Sequence, residues 1–328
     1  MRKKITRRAF CSMLLALSFP ARAQQPKKIP RIGFLTNTPF SADSALTEAF
    51  RQGLRELGYV EGKNIVIEWR FGEGSRERQR ALAAELVRLK VDVIVAGGSA
   101  DILAAKEATA TIPIVMVLGG DAVGSGFVAS LAQPGGNITG FSTLRPELSG
   151  KRLELLKETV SRLSRVAVFV SSASQDYAQV KKEIELAAGA FGIKLQNLDV
   201  RSFKDVETAF QAAVKGRAEA VLVRLPGTIL TPHRTEVAEL AVKSRLPAIY
   251  ERAEEVESGG LMSYGMNFPD LYRRAATYVD KILKGRTPAD LPVEQPMRFE
   301  FVINLIAAKK IGLTIPPNVL VRAQRVIR

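Results

Sequence analysis

The sequence predicts an α/β fold made of two doubly wound, parallel-sheet lobes. Three observations carry that prediction. Short apolar runs alternate with stretches of helical periodicity from residue 29 onward. The second half repeats the order of the first, at an offset of 134 residues for the first and last matches. Polar, glycine-rich loops stand where the apolar runs end. Alternating strands and helices bury their apolar faces as a parallel sheet covered on both sides.

The elements follow in order. Residues 31–35 form a short apolar run, read as a buried strand. Residues 43–57 place Leu46, Phe50, Leu54 and Leu57 at helical spacing and stop at Gly58. Residues 64–69 alternate and read as a strand, and residues 76–89 read as a helix with Leu82, Leu86 and Leu89 on one face. Residues 92–96 are a strand running into Gly97-Gly98-Ser99, residues 101–109 a short helix, and residues 113–118 a strand. In the second half Arg165-Val166-Ala167-Val168-Phe169 mirrors Arg31-Ile32-Gly33-Phe34-Leu35. The segments 177–191, 193–200, 206–214 and 219–223 then repeat the same rhythm. Arg245-Leu246-Pro247-Ala248-Ile249 mirrors Thr111-Ile112-Pro113-Ile114-Val115, with the prolines in register, which points to an internal duplication.

The length of 328 residues accommodates two domains, and 46% apolar with 25% charged residues is a globular balance. The formal charge is +15. Six of those positive charges (Arg2, Lys3, Lys4, Arg7, Arg8, Arg22) lie in residues 1–23, which carry no acids, so the remainder is 15 − 6 = +9. The other basic residues are interleaved with acids, as in Arg76-Glu77-Arg78. No basic stripe with interleaved aromatics argues for nucleic-acid binding.

Residues 1–23 read as an export leader: a basic start, an apolar stretch over 9–20, and Ala21-Arg22-Ala23 as a cleavage site. Thr6-Arg7-Arg8-Ala9-Phe10 resembles a twin-arginine motif, and a general secretory leader with two arginines is the alternative. The single cysteine, Cys11, precedes the apolar stretch, so it does not fit a lipid-attachment site. No other stretch is long and apolar enough to span a bilayer.

Catalytic signatures are sparse. His233 is the single histidine and reads as a structural residue in the first turn of an exposed helix. Without further histidine, or cysteine after the leader, a His/Cys zinc cluster cannot be assembled. There is no G-x-S-x-G elbow and no phosphate-binding G-x-x-x-x-G-K-[ST]. Gly124-Ser125-Gly126-Phe127-Val128-Ala129 matches G-x-G-x-x-A, but residues 119–123 separate it from the preceding strand. It reads as a flexible helix start rather than a dinucleotide fingerprint. No cofactor and no metal are expected.

What remains is a set of small polar strand-end loops at matching places in both halves. The first half has Thr36-Asn37-Thr38, Gly97-Gly98-Ser99-Ala100 and Gly119-Gly120-Asp121. The second has Ser171-Ser172-Ala173-Ser174, Pro226-Gly227-Thr228 and Tyr250-Glu251-Arg252. Ligands in open parallel sheets bind beyond the carboxyl ends of the strands. Two lobes with such rims facing each other suit the capture of a small polar molecule.

Several stretches resemble the tryptophan/tyrosine-type substrate-binding proteins of ABC transporters. They include Ile32-Gly33-Phe34-Leu35, Phe50-Arg51-Gln52-Gly53-Leu54, Gly58-Tyr59-Val60-Glu61-Gly62, Gln133-Pro134-Gly135-Gly136-Asn137-Ile138-Thr139-Gly140, Lys151-Arg152-Leu153-Glu154-Leu155-Leu156, Gly259-Gly260-Leu261-Met262-Ser263-Tyr264-Gly265 and Ile303-Asn304-Leu305. The resemblance implies a type I periplasmic-binding fold with a three-crossover hinge. It implies lobe 1 over residues 28–143 plus about 266–298, and lobe 2 over 144–265 plus about 299–328. It further implies a non-enzymatic monomer in the periplasm that delivers a small molecule, such as an aromatic or other amino acid, to a membrane permease. A sensory module of the same fold is the alternative.

Carried over by position, the ligand site is expected from Asn37, Ser99, Ala100 and Asp121 in lobe 1 and Ser172, Thr228 and Tyr250 in lobe 2. Ser142 and Tyr264 are expected near the crossovers. For an amino acid, the carboxylate is expected at the N–H groups of Ser99-Ala100 and Ser172, and the ammonium at Asp121. The side chain is expected on Phe40, Phe141 or Tyr250. The second-lobe loops Ser171-Ser172-Ala173-Ser174 and Leu225-Pro226-Gly227 depart from the family pattern.

Overall fold

The computed structural model describes residues 28–143, 145–174, 177–296 and 299–328. The leader read in residues 1–23 lies outside them. The first five strands and three helices alternate: β1 (Arg31–Thr36), α1 (Phe40–Glu56), β2 (Val66–Phe71), α2 (Arg76–Arg88), β3 (Val93–Gly98), α3 (Ser99–Ala108), β4 (Ile114–Leu118) and β5 (Ile138–Gly140). The strands pair in the order β2-β1-β3-β4-β5, all parallel.

The chain then enters a second sheet through α4 (Arg145–Thr159). There follow β6 (Arg165–Val170), α5 (Tyr177–Phe191), β7 (Lys194–Asp199), α6 (Lys204–Lys215), β8 (Ala220–Val223), α7 (Gly227–Leu230), α8 (Arg234–Lys243), β9 (Ala248–Tyr250), α9 (Ala253–Glu257) and β10 (Met262–Met266). Helix α10 (Phe268–Leu283) returns to the first sheet and packs on α1, β3 and β4. Strand β11 (Phe299–Asn304), α11 (Leu305–Ile311), α12 (Pro317–Leu320) and β12 (Arg325–Ile327) complete the second sheet. Its order is β12-β11-β10-β9-β8-β6-β7. The chain therefore passes between the sheets three times, after β5, after β10 and before β11.

The order β2-β1-β3-β4 in one sheet reappears as β7-β6-β8-β9 in the other, so the sequence repeat is a repeat of topology. The helix stripes repeat as well. Leu46, Phe50 and Leu54 of α1 are buried, and Val180, Ile184 and Ala188 of α5, each 134 residues later, are buried at matching turns. Residues four apart share a helix face, so each stripe covers its own sheet. The second sheet differs in its extension: β11 runs antiparallel to β10. Side chains such as Asn267 and Asn304 set the helix starts near the crossovers. They accept the N–H groups of Asp270 (2.9 Å) and Ala307 (3.0 Å).

Two local readings change. The G-x-G-x-x-A segment does not begin a helix. Asp121 accepts the Gly124 and Ser125 N–H groups in a turn, and Phe127 and Val128 are buried as anchors for a loop that continues to β5. His233 precedes α8 in a short 3₁₀ turn, where its ring stacks on Phe203 at a centroid distance of 3.7 Å. At the end of β5 only glycine fits: Gly140 has φ 126°, and a Cβ there would lie 2.1 Å from the Met116 carbonyl.

Candidate functional site

The carboxyl ends of the two parallel sheets face each other. Arg76, at the start of α2 in the first lobe, donates from Nη2 to the Ala173 carbonyl beyond β6 in the second, at 2.9 Å. Thr38 beyond β1 approaches Gly227 beyond β8, where an added Cβ would be 3.9 Å from the Thr38 methyl. Beside the second crossover, the Arg252 guanidinium sits 5.0 Å from the centroid of the Phe268 ring. These contacts join rim to rim.

On the first rim, Asn37 is half-buried and its side-chain oxygen accepts the Gly74 N–H at 3.1 Å. It therefore ties the β1 and β2 ends together. The hydroxyls of Thr36 and Thr38 lie 2.8 Å apart. Ser99 and Ala100 are half-buried at the N-terminus of α3. The buried Asp101 carboxylate accepts the Gly98 N–H at 2.7 Å and fixes that helix start. The strand end leaves little room for a side chain: a Cβ on Gly97 would lie 2.9 Å from the Tyr272 hydroxyl and 3.3 Å from the Asp101 carboxylate. Asp121 is exposed, with one carboxylate oxygen accepting the Gly124 N–H at 2.9 Å. Ser142 is buried, and its hydroxyl donates to the Gly120 carbonyl at 2.9 Å, so it braces the loop that carries Asp121.

On the second rim, Ser172 is exposed. Its N–H and hydroxyl both donate to Asp199, each at 2.8 Å. The Ser172 N–H leads the groups that hold the Asp199 carboxyl below its ordinary range. Ser172 is thus committed to its own lobe, which corrects the expectation that its N–H stands ready for a carboxylate. Thr228 is half-buried in the first turn of α7.

Tyr250 also departs from expectation. It is wholly buried in the second-lobe core, with Gly260 and Glu255 against it, and burial pushes its hydroxyl pKa up. Phe141 is wholly buried too, edge-on to Tyr278 at 5.3 Å and under Arg274. Neither ring offers a free face, because both sheets are covered on both sides. The Phe40 side chain lies outside the described residues. Tyr264 is half-buried between Phe299 and Phe301, at centroid distances of 5.9 and 6.4 Å, on the strand pair beside the crossovers.

The rim also holds a buried ionic network that the sequence reading did not single out. One Glu251 carboxylate oxygen lies 3.0 Å from Arg224 Nε and 3.3 Å from Arg152 Nη1. Arg152 Nε donates to the Tyr264 carbonyl at 2.7 Å. The three side chains are all under 10% exposed, and they link α4, β8, β9 and β10 where the chain crosses between lobes. A signal existed: Arg224 directly follows the apolar run Val221-Leu222-Val223, and a charge at the end of a buried strand needs a buried partner. Beside it, Glu255 accepts the Arg252 N–H at 3.0 Å and lies 3.5 Å from Arg234 Nε. Burial pushes the Glu255 carboxyl up to about 7, against the pull of Arg252. Among the described residues no group of His, Cys, Asp and Glu could hold a metal ion, and no helix is long and apolar enough to cross a membrane.

Comparison with known proteins gives one consistent result. Residues 39–327 match the family model described as ABC transporter substrate binding protein. A protein of Clostridioides difficile (strain R20291) described as a tyrosine-binding protein is 27% identical over 284 residues, covering 85% of this chain and 79% of that one. The structure of a conserved domain protein from Vibrio cholerae is 28% identical with a TM-score of 0.84, covering 91% of this chain and 100% of that one. A streptococcal ABC domain in complex with L-Trp is 25% identical with a TM-score of 0.83, covering 91% and 99% of the two chains.

Proposed function

This chain belongs to the ABC transporter substrate binding protein family, and from that membership we propose that it is an exported, non-enzymatic receptor that carries an amino acid to an ABC importer. The observation that carries the reading is the opposition of two strand-end rims joined by the Arg76–Ala173 hydrogen bond. A solute held between such rims is gripped by both lobes, and the closed form is what a permease can distinguish from the empty one. The tyrosine-binding relative and the L-Trp complex favour an aromatic amino acid.

In this reading the ligand carboxylate meets the N–H groups of Ser99 and Ala100, where the start of α3 carries partial positive charge. The ammonium meets Asp121, whose exposed carboxylate stands at the rim. Asn37, Thr228 and the half-exposed Tyr264 line the remaining wall, and Ser142 and Ser172 hold the loops in shape. The leader directs export to the periplasm by the twin-arginine route, and the mature protein acts as a monomer.

Thermal unfolding of the chain from residue 24, with and without L-Trp, L-Tyr, L-Phe and aliphatic amino acids, tests this. A ligand at 100 times its dissociation constant is expected to stabilise by about 2.7 kcal/mol. Asp121→Ala is expected to abolish the shift with amino acids, with only a small fall in the unliganded melting temperature from the lost Gly124 contact. Absence of any shift across the set rules out the amino-acid assignment, and an unchanged shift in Asp121→Ala removes that residue from the site.

A further inference from the structure

The end of the second lobe farthest from the cleft carries a row of arginines in one register. Arg162, Arg217 and Arg245 each stand three residues ahead of a strand, before β6, β8 and β9. These strands are neighbours in the order β9-β8-β6, and β7, beginning at Lys194, lies beside β6. Adjacent strands are roughly 5 Å apart, so the four positions span about 15 Å. Lys215 and Lys243 end the helices that lead into Arg217 and Arg245. All six side chains are exposed, and none forms an ion pair among the described residues. The acid in this row, Glu219, is held by the Ser164 and Arg165 N–H groups and the Ser164 hydroxyl.

The three arginines also hold an unfavourable backbone shape. Their φ values are 61°, 58° and 53°, the left-handed region that glycine occupies freely. Each closes a helix end, as Lys90 (φ 51°) does ahead of β3 in the first lobe, and at all three positions in the second lobe the residue is an arginine. A discrete small anion is a poor occupant. Helix C-termini face this end, and their carbonyls carry partial negative charge. Long arginine and lysine side chains reach past those carbonyls to a broad anionic plane. Val214, at the end of α6, adds an aliphatic side chain 51% exposed to the same end.

The geometry points to this end as a docking surface for a bilayer rich in anionic phospholipid headgroups. It lies opposite the strand ends that form the cleft, so it acts independently of solute capture. Juxtaposed basic residues near such a surface each add roughly five-fold to partitioning, and the attraction is screened by salt.

The test is co-sedimentation of the chain from residue 24 with vesicles of phosphatidylglycerol and phosphatidylcholine, against vesicles of phosphatidylcholine alone. The triple variant Arg162→Gly, Arg217→Gly, Arg245→Gly places glycine where glycine is unstrained, so it is expected to keep its melting temperature. Wild type is expected to bind the anionic vesicles and not the neutral ones, with binding lost as salt rises. The variant is expected to bind about 100-fold more weakly. Equal binding to both vesicle types, full binding by the variant, or complete competition by millimolar inorganic phosphate would each overturn the proposal. A lower melting temperature in the variant with unchanged vesicle binding would assign the arginines to helix-end stabilisation instead.

Discussion

The two lobes share a topology and divide their chemistry. In the first, the rim is made of small residues around Gly97 and Ser99, and its buried carboxylate, Asp101, is used on the backbone of its own helix start. In the second, the rim contains buried arginines and glutamates, Arg152, Arg224 and Glu251, with Glu255 behind them. The two lobes therefore share what a sheet needs, the apolar stripes and the strand order, and differ at the strand ends. The divergence is concentrated where three passages of chain connect the lobes, so the second lobe carries the charge that braces the hinge.

The comparison can be tested first at its shared element. Phe50 and Ile184 occupy matching stripes and are both buried. Phe50→Ala is expected to cost about 3–5 kcal/mol and Ile184→Ala about 2–5 kcal/mol, by urea unfolding. A loss under 1 kcal/mol in one lobe alone would break the equivalence. The ionic difference comes next. Glu251→Ala leaves Arg152 and Arg224 buried without that carboxylate, and is expected to cost about 3–5 kcal/mol. Asp101→Ala in the first lobe removes a helix-start contact and is expected to cost about 1–2 kcal/mol. Equal losses would deny the division of roles.

A third test uses pH. The Glu255 carboxyl has a pKa near 7 in the folded chain and an ordinary one of 4.5 when unfolded. Between those values the folded state holds the extra proton, so stability falls as pH rises from 4.5 to 7 and levels off above it. The fall attributable to this group is up to roughly 3 kcal/mol, and Glu255→Gln is expected to flatten that part of the profile. A profile identical in the variant would assign the slope to other groups. A smaller effect is expected at the cleft. Arg76→Ala removes the hydrogen bond to Ala173. It is expected to weaken ligand affinity by roughly 3–10-fold, about 1 kcal/mol, with little change in unliganded stability.

Particular residues mark what could be read in advance. The strand read at residues 31–35, observed as Arg31–Thr36, and the helix stripe at Leu46, Phe50 and Leu54 were legible because periodicity is a local property of the chain. The rim loops were legible as a set, because they follow the apolar runs in order. Tyr250 was misplaced because its strand is covered on both faces. Ile249 joins one core cluster and Tyr250 another, so no alternation separates an inward ring from one lining a cleft. Ser172 was misread because its partner, Asp199, comes from the end of the neighbouring strand. The helix foreseen after the G-x-G-x-x-A segment failed because Gly120 and Gly126 adopt φ of 60° and 67°, and the turn closes on Asp121 instead.

The sequence by itself determined the strand and helix pattern and its repeat in the second half, since each depends on residue type and spacing along one chain. The tertiary structure decided which polar groups are already spent on one another, as with Ser172 on Asp199 and Glu251 between two arginines. The physical reason is that a hydrogen bond or buried ion pair is satisfied by whatever partner the fold brings within about 3 Å, and that distance is set by packing between segments far apart in the chain.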